Sequence, residues 1–431
     1  MCENSTNDAA FERGLAEAGV ERRTLLKVAG SGLVFSTALG AGMAPAAAAV
    51  SAKKRAYVLV IDGCRPEELD SGLTPNLRAL RDGGRRYPRA LSMPIMETIP
   101  NHVMMMTGVR PDRNGVPANS VFDGTVVRDM DRSTDIKYRT IIEQLNATGR
   151  STGTVLSKDY LYGVFGTRAT HRWEPKPLLP VTNHAPDLFT VQAAIDMVTT
   201  FDPDLVFVNL GDIDRFGHAD ITGTTLRAAR SLALTDTDQQ VKRFIDHLKA
   251  TGRWASSIVI VLADHSMDWS TPDKFVSLSG ALGADPLLAG KVEIAQNGGA
   301  ELLYWRGSAA DKASAVARML AIARATPGVL EAHDRAATSS LRLGPNAGEV
   351  VVYCKAGWRF TDPSQVSNPI PGNHGHPATR PIPFFIAGGH PIVPAGTASS
   401  AVAHTVDVAP TLGTFFGLKA PSGSWDGSSR L

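Results

Sequence analysis

Cysteine is scarce in this 431-residue chain, with only Cys2, Cys64 and Cys354. Three sulfurs exclude a disulfide-built scaffold and a cysteine-rich metal finger, since both need several cysteines at short spacing. Surplus charge is nearly absent too: 44 basic against 42 acidic residues leave a formal net charge of +2. That argues against a dedicated nucleic-acid binder, which would carry a basic face. Beyond the first fifty residues no run is long and apolar enough to span a bilayer. No internal repeat and no low-complexity linker divides the chain. What remains, 43% hydrophobic and 20% charged residues, is the composition of a globular protein. Its length suits one large α/β domain or two ordinary ones.

The first fifty residues form an object of their own. "VERRTLLKVA" (20–29) places the pair Arg22 and Arg23 before leucines and Lys27, and a Gly/Ala-rich apolar stretch follows. "APAAAAVSAKK" then offers small-x-small cleavage points between Ala46 and Ala52. Charged region, apolar region and small-residue exit predict a cleaved signal peptide over 1–52, of the twin-arginine type, and hence an exported protein. An amphipathic helix or membrane anchor is the competing view, for which a segment so rich in glycine and alanine is weak. Cleavage takes four basic and five acidic side chains, leaving 40 and 37, a net of +3. Cys2 leaves with the leader. Cys64 and Cys354 remain, as one disulfide or as two buried thiols.

From residue 53 the pattern is strand, helix, strand, helix. "RAYVLVID" (55–62) is a short apolar run ending in an acid, as expected of a buried parallel strand. Similar runs occur at 151–156, 204–210, 257–264, 348–354 and 383–389. Helical patterns lie at 74–84, 135–148, 188–200, 224–251, 309–325 and 404–417, the first with a Thr-Pro start and a Gly-Gly stop. This alternation predicts an α/β fold over 53–431: one domain with a doubly wound, mainly parallel sheet flanked by helices. Residues 110–135, 266–300 and 355–382 lack periodicity and are expected to form loops or a small cap at the carboxyl edge of the sheet. Ligands of open α/β sheets sit at that edge.

The strand ends carry acids and histidines. Asp62 closes the first strand, and Asp264 with His265 closes "SIVIVLAD". "DLVFVNL" runs into "GDIDRFGHAD", which offers Asp214 and His218 four residues apart. "GNHGHP" adds His374 and His376. Each alone is ordinary, since an aspartate after a strand is commonly a helix cap. Together, three aspartates and three histidines exceed the needs of one divalent transition metal such as zinc and suit two. Two metals roughly 4 Å apart can hold the attacking and leaving oxygens of a displacement at phosphorus. "METIPNHVMMMTG" (96–108) reads as a buried helix, yet a threonine and Pro-Asn-His stand at its start. A hydroxyl held by a metal loses its proton near neutral pH, which gives Thr98 a use as nucleophile. The helix start adds positive dipole where a phosphate would dock.

In this order, "VLVIDGCRPEEL", "TIPNHVMMMTGVRPDRNGV" with "PANS", "DIDRFGH", "ADHSM" and "GNHGH" resemble the signature segments of the type I phosphodiesterase/nucleotide pyrophosphatase family, within the alkaline phosphatase superfamily. The resemblance runs from about 55 to 418 and includes "TVDVAPTLGTFFGL". It implies one zinc held by Asp214, His218 and His374, and another by Asp62, Asp264 and His265 with Thr98. It further implies that Asn119 donates to a non-bridging phosphate oxygen, where transition-state charge builds. The expected reaction cleaves phosphate diesters or pyrophosphates, small-molecule substrates, in two steps through a phospho-threonine.

Several residues depart from the family pattern. Glu97 stands where many members carry lysine, and would repel an anion unless it turned away or paired with Arg89 or Arg110. Asn114 replaces a histidine common in the family. Asp212 and His102 read as supporting or capping groups, and Met104, Met105 and Met106 as core. Related chemistries compete. A sulfatase needs an arginine where "CRPEE" has Glu68. An alkaline phosphatase-type phosphomonoesterase needs extra positive charge, for which Arg110, Arg113 and Lys158 are candidates. Phosphonoacetate hydrolase shares the metal ligands. A dead scaffold would have lost a ligand or the nucleophile, and all seven are present. Phe122, Tyr160, Tyr162 and Trp269 are candidates to read the organic group.

Overall fold

The computed structural model describes residues 53–175, 183–220, 227–364 and 368–431. The leader expected over 1–52 lies outside the described residues. Strands β1 (Arg55–Ile61), β2 (Arg85–Arg86), β3 (Thr152–Leu156), β4 (His171–Trp173), β5 (Leu205–Leu210) and β6 (Ser257–Leu262) belong to the main sheet. Strands β7 (Val292–Asn297), β8 (Ala300–Trp305), β9 (Val329–Asp334) and β10 (Val350–Cys354) form a second one. The chain then returns to the main sheet with β11 (Phe384–Ala387) and β12 (Thr397–Ala398). The spatial order of the main sheet is β12-β2-β11-β6-β1-β5-β3-β4.

At its centre β1 runs parallel to β5 and to β6, with Ile61 opposite Leu210 and Val60 opposite Leu262. Every residue of β1, β5 and β6 is buried. Only a strand covered on both faces has use for such unbroken apolar runs. Their carboxyl ends lie side by side, so the residues that follow, Asp62, Gly211 to Asp214, and Asp264, share one edge. The sheet is thus mainly parallel and helix-flanked as expected, with β11 antiparallel to both β6 and β2.

The helices used below are α1 (Pro75–Gly83), α2 (Thr98–Thr107), α3 (Ile141–Asn146), α4 (Asp159–Phe165), α5 (Asp187–Phe201), α6 (Asp212–Ala219), α7 (Ala228–Ala250), α8 (Lys312–Ala325) and α9 (Val408–Phe416). Helix α3 is shorter than the pattern over 135–148 suggests, because Thr140 caps it in a capping box with Glu143. All ten residues of α2 are buried, Met104 to Met106 among them, and Gly108 ends it at a left-handed φ of 70°. Asn101 pins the entry loop by donating to the carbonyls of Met93, Ile95 and Glu97.

Two expectations need correction. The run at 348–354 becomes β10, which belongs to the second, antiparallel sheet of order β7-β8-β10-β9. The insertion is also no loop-rich cap: this sheet, with α8, encloses its own apolar cluster that includes Leu303, Met319, Val350 and Val352. The turn Gly298–Gly299 between β7 and β8 makes the tight hairpin possible. Asn297 ties this lobe to the main body, its side chain accepting from Ser120 N (2.8 Å) and donating to Ser120 O (2.9 Å). Cys64 and Cys354 are buried free thiols, which answers the open disulfide question. Among the described residues no helix is long and apolar enough to cross a membrane.

Candidate active site

Five segments deliver side chains to one point at the carboxyl edge. Asp62 follows β1, and Asp264 and His265 follow β6. Asp214 and His218 stand one turn apart on α6, Thr98 opens α2, and His374 comes from the turn after the short strand Gly372–Asn373. The Nε2 atoms of His218 and His374 are 3.0 Å apart. Asp214 Oδ1 lies 3.3 Å from the first and 3.7 Å from the second. His265 Nε2 is 3.7 Å from Asp62 Oδ1, 3.5 Å from Asp264 Oδ2 and 3.1 Å from Thr98 Oγ1. The sets Asp214/His265/His374 and Asp62/Asp264/His265 each place three ligand atoms within 4.8 Å of one another.

The hydrogen bonds show what faces inward. Each aspartate uses one oxygen on the protein and leaves the other bare. Asp62 Oδ2 accepts from Asn209 Nδ2 (2.9 Å) and forms an ion pair with Lys158 Nζ at 2.8 Å. Asp214 Oδ2 accepts from the same ammonium at 2.7 Å, and Asp264 Oδ1 accepts from Gly63 N and His265 N. Asp62 Oδ1, Asp214 Oδ1 and Asp264 Oδ2 are buried without a partner. The imidazoles repeat this arrangement. His218 Nδ1 lies 2.8 Å from Gly372 O and His265 Nδ1 lies 2.9 Å from Ser266 O. A ring nitrogen against a carbonyl must carry the proton, so Nε2 presents its lone pair to the cluster. Bare carboxylate oxygens and imidazole lone pairs at 3.0 to 3.7 Å need a proton or a cation between them. Hard oxygen and neutral imidazole are the donors that zinc and its neighbours take, so the residues fit divalent transition metals.

The electrostatics show the same strain. Burial pushes the Asp62 carboxyl up and the charge of Asp264 adds to it, against the pull of Lys158. Burial also acts on Asp214, but Lys158 and His218 outweigh it and hold that carboxyl well below its ordinary range. His265 is pushed down, first by burial. Burial would lower His374 as well, yet Glu97 and Asp214 raise it to about 9. Lys158 is fully buried and would lose its proton to desolvation, but Asp214 and Asp62 keep it charged.

Around Thr98 the contacts are specific. Asn119 Oδ1 accepts from Ile99 N (2.8 Å), and its Nδ2 donates to Glu97 Oε2. Glu97 Oε1 lies 3.1 Å from His374 Nδ1. Glu97 therefore pairs neither with Arg89 nor with Arg110, which donate to the carbonyls of Ser400 and of Ser340 and Leu341. It is buried, and the imidazole and the amide take up its charge instead. A pocket of about 210 Å³ opens here, lined by Glu97, Ile99, Asn119, Ser120, Tyr160 and Asn297 among others. His102, one turn along α2, sets its Nδ1 2.8 Å from Thr98 O and its Nε2 3.2 Å from Asn209 Nδ2.

The remaining candidates fall elsewhere. His376 bonds Asp268 at 2.9 Å, and Asp212 lies 2.8 Å from His184 Nε2. Arg113 reaches Asp426 and the carbonyls of Gly423 and Ser424. Phe122 packs on Tyr304, Tyr162 donates to Pro175 O, and Trp269 lies under Arg227. Sequence reasoning missed Asn209, and gave Lys158 only as one of three charges. The signal for Lys158 was available, since "SKD" directly follows the buried run that became β3.

The profile of the family described as type I phosphodiesterase / nucleotide pyrophosphatase matches residues 56–377. The bovine (Bos taurus) bis(5′-adenosyl)-triphosphatase ENPP4 is 24% identical over 234 residues, 51% of this chain and 49% of that protein. Human (Homo sapiens) ectonucleotide pyrophosphatase/phosphodiesterase family member 5 is 22% identical over 244 residues, 54% and 49% respectively. The aligned stretch thus spans about half the length of each of these two relatives. Among solved structures, an inactive murine ectonucleotide pyrophosphatase/phosphodiesterase 5 in complex with AMP superposes with a TM-score of 0.71 at 18% identity, covering 87% of this chain and 97% of the other. Phosphonoacetate hydrolase from Sinorhizobium meliloti 1021, in complex with phosphonoformate, gives 0.63 at 17% identity over 84% and 95%. At these identities the structures speak for a shared α/β, alkaline-phosphatase-like fold.

Proposed function

The chain belongs to the type I phosphodiesterase/nucleotide pyrophosphatase family, and from that premise we propose that it hydrolyses phosphate diesters or pyrophosphates, with Thr98 as nucleophile at a two-zinc centre. One observation carries the reading: bare carboxylate oxygens and imidazole lone pairs surround the hydroxyl that opens α2, with His265 Nε2 3.1 Å from Thr98 Oγ1. Asp214, His218 and His374 would hold one ion, and Asp62, Asp264 and His265, with Thr98, the other. When bound, such cations supply Lewis-acid charge at phosphoryl oxygens and lower the pKa of hydroxyl groups beside them.

The chain's own residues account for the rest. His102 fixes the backbone of Thr98, and the helix start sets its Oγ1 toward the cluster. Thr98 Oγ1 attacks phosphorus and the bond to the leaving alcohol or phosphate breaks, which leaves a phospho-threonine. Water then attacks the same phosphorus and returns Thr98. Asn119 is held by Ile99 N and Glu97, and keeps one amide hydrogen for a non-bridging oxygen. The catalytic unit is proposed to run from 53 to 431, behind a leader that directs export through Arg22 and Arg23. Undiminished export after both are changed to lysine would refute that route.

A phosphomonoesterase is the second reading. Lys158 favours it, because its ammonium between Asp62 and Asp214 offsets carboxylate charge that would otherwise repel a dianionic phosphoryl group. Turnover of p-nitrophenyl phosphate, bis-p-nitrophenyl phosphate and a nucleoside 5′-p-nitrophenyl phosphate, with and without chelator, decides between the two. Chelator-sensitive preference for the diesters is expected, and Thr98→Ala should lose several orders of magnitude in kcat while keeping its metals. Near-normal turnover by that variant would reduce Thr98 to a helix-start residue.

A further inference from the structure

The buried arginines Arg55, Arg230 and Arg359 all pair through their guanidinium groups. Arg230 forks onto Glu68 at 2.6 and 2.8 Å and also donates to the carbonyls of Gly63 and Ile213. Arg359 reaches Ser270 Oγ and the carbonyls of Thr271 and Asn368. Such pairing is what physics demands, because an arginine stays charged wherever it is and an unpaired charge out of water is costly. Arg215, half-buried, is different. Its Nε is buried with no hydrogen-bond partner, and its guanidinium makes no hydrogen bond or ion pair to another described residue. Asp62, Asp159 and Asp214 are near enough to stabilise its charge, yet none comes within ion-pair distance.

Its place is telling. Arg215 follows Asp214 on α6, and its guanidinium lies 5.5 Å from the ring centroid of Tyr160. The same ring has the Lys158 ammonium at 6.0 Å and lines the pocket that holds Glu97 and Asn119. Lys158 is committed to the Asp62 and Asp214 carboxylates, whereas Arg215 bonds to no other described residue. Asp129 lines the same pocket and would repel an anion there, while Arg215 meets the pocket through the Tyr160 ring. We infer that Arg215, beside Tyr160, is the specificity-determining anion subsite of this centre, receiving a second negative charge on the substrate beyond the single one a diester carries. This inference rests on the reading of the centre as a phosphoric-ester hydrolase. The second charge could be the extra one of a monoester or that of a neighbouring phosphate in a pyrophosphate. A guanidinium fork matches the oxygens of either.

The test compares Arg215→Gln and Arg215→Lys with the unaltered enzyme, all loaded with zinc and matched for thermal melting. Removing a charge-assisted contact should lower kcat/KM for p-nitrophenyl phosphate by about 10- to 100-fold, with the lysine variant between. A pyrophosphate-bearing nucleotide losing as much would show that the subsite reads a neighbouring phosphate too. The loss for bis-p-nitrophenyl phosphate should stay below about threefold, since no second charge is present. Calorimetric titration with inorganic phosphate gives a readout free of turnover, and the glutamine variant should bind it about tenfold more weakly. Equal losses for monoester and diester, or unchanged phosphate affinity, would overturn the inference and leave Arg215 as a cover over Tyr160. If the unaltered enzyme turned over none of these esters, the functional reading would fall and the phosphate titration alone would decide the subsite.

Discussion

Glu97 stands immediately before Thr98, and a carboxylate there ought to repel the phosphate it adjoins. Its surroundings remove the conflict, because one oxygen faces His374 Nδ1 at 3.1 Å and the other accepts from Asn119. The residue therefore orients a metal-ligand candidate and a phosphate-donor candidate at once. A carboxylate behind a ligating histidine fixes the ring and raises its basicity, and losing one commonly costs about 10- to 100-fold in metal affinity. Glu97→Gln keeps the shape but not the charge. It should weaken zinc binding by about that factor in a competition titration against a chromophoric chelator. Unchanged zinc affinity would mean that Glu97 is only filling space. Glu97 also marks what the sequence could and could not tell. As an anomaly it was visible, but its partners were not, because His374 is nearly three hundred residues away and only the folded chain sets it alongside. Most residues that converge on the cluster were easier to find: Asp62, Asp264 and His265 follow buried strands, Asp214 and His218 sit at the four-residue spacing that puts them on one helix face, and Thr98 stood out as a polar start to an apolar helix.

Elements matter here chiefly through the turns that end them. Gly63, after β1, has φ +72°, and a Cβ there would stand 3.0 Å from Asp214 Cβ and 3.1 Å from its Oδ1. Its amide also donates to Asp264 Oδ1 at 3.2 Å. Glycine is thus required twice, for the left-handed backbone and for the approach of α6. Gly63→Ala should cost about 1–3 kcal/mol of stability, read by urea unfolding. Its kcat should fall further than that loss explains, since Asp214 must move. Full activity at reduced stability would show that the position of Asp214 is not critical. Elements also explain where sequence reading erred. The parallel strands stood out because burial on both faces makes unbroken apolar runs. Strand β7 did not, because it is half-buried along most of its length and carries Glu293, Gln296 and Asn297. Strand β10 was found but placed in the wrong sheet, since an apolar run carries no record of which neighbours it pairs with.

On the scale of the whole molecule, the cluster joins stretches around residues 62, 98, 214, 264 and 374, so its internal repulsion opposes folding wherever no cation relieves it. Ions that bind the folded chain and not the unfolded one stabilise it by mass action, about 2.7 kcal/mol at a hundredfold excess over Kd. Zinc should therefore raise the melting temperature by several degrees and a chelator should reverse it, in Thr98→Ala as in the unaltered protein, but much less in Asp62→Asn. The pH dependence has a definite sign. Asp214 is held low and His265 is pushed down, so both stand deprotonated at neutral pH. His374, raised to about 9 by Glu97 and Asp214 against the effect of burial, keeps its proton. That proton stabilises the metal-free fold below pH 9 and ceases to do so as the pH rises through 9. A cation at neutral pH must also expel it before His374 can ligate. Both effects act in the same direction, so the zinc-induced shift in melting temperature should grow from pH 7 toward 9, with proton release on binding that shrinks over the same range. A shift largest at pH 7, or proton release that does not change with pH, would show that His374 is already neutral and that Glu97 does not hold its charge.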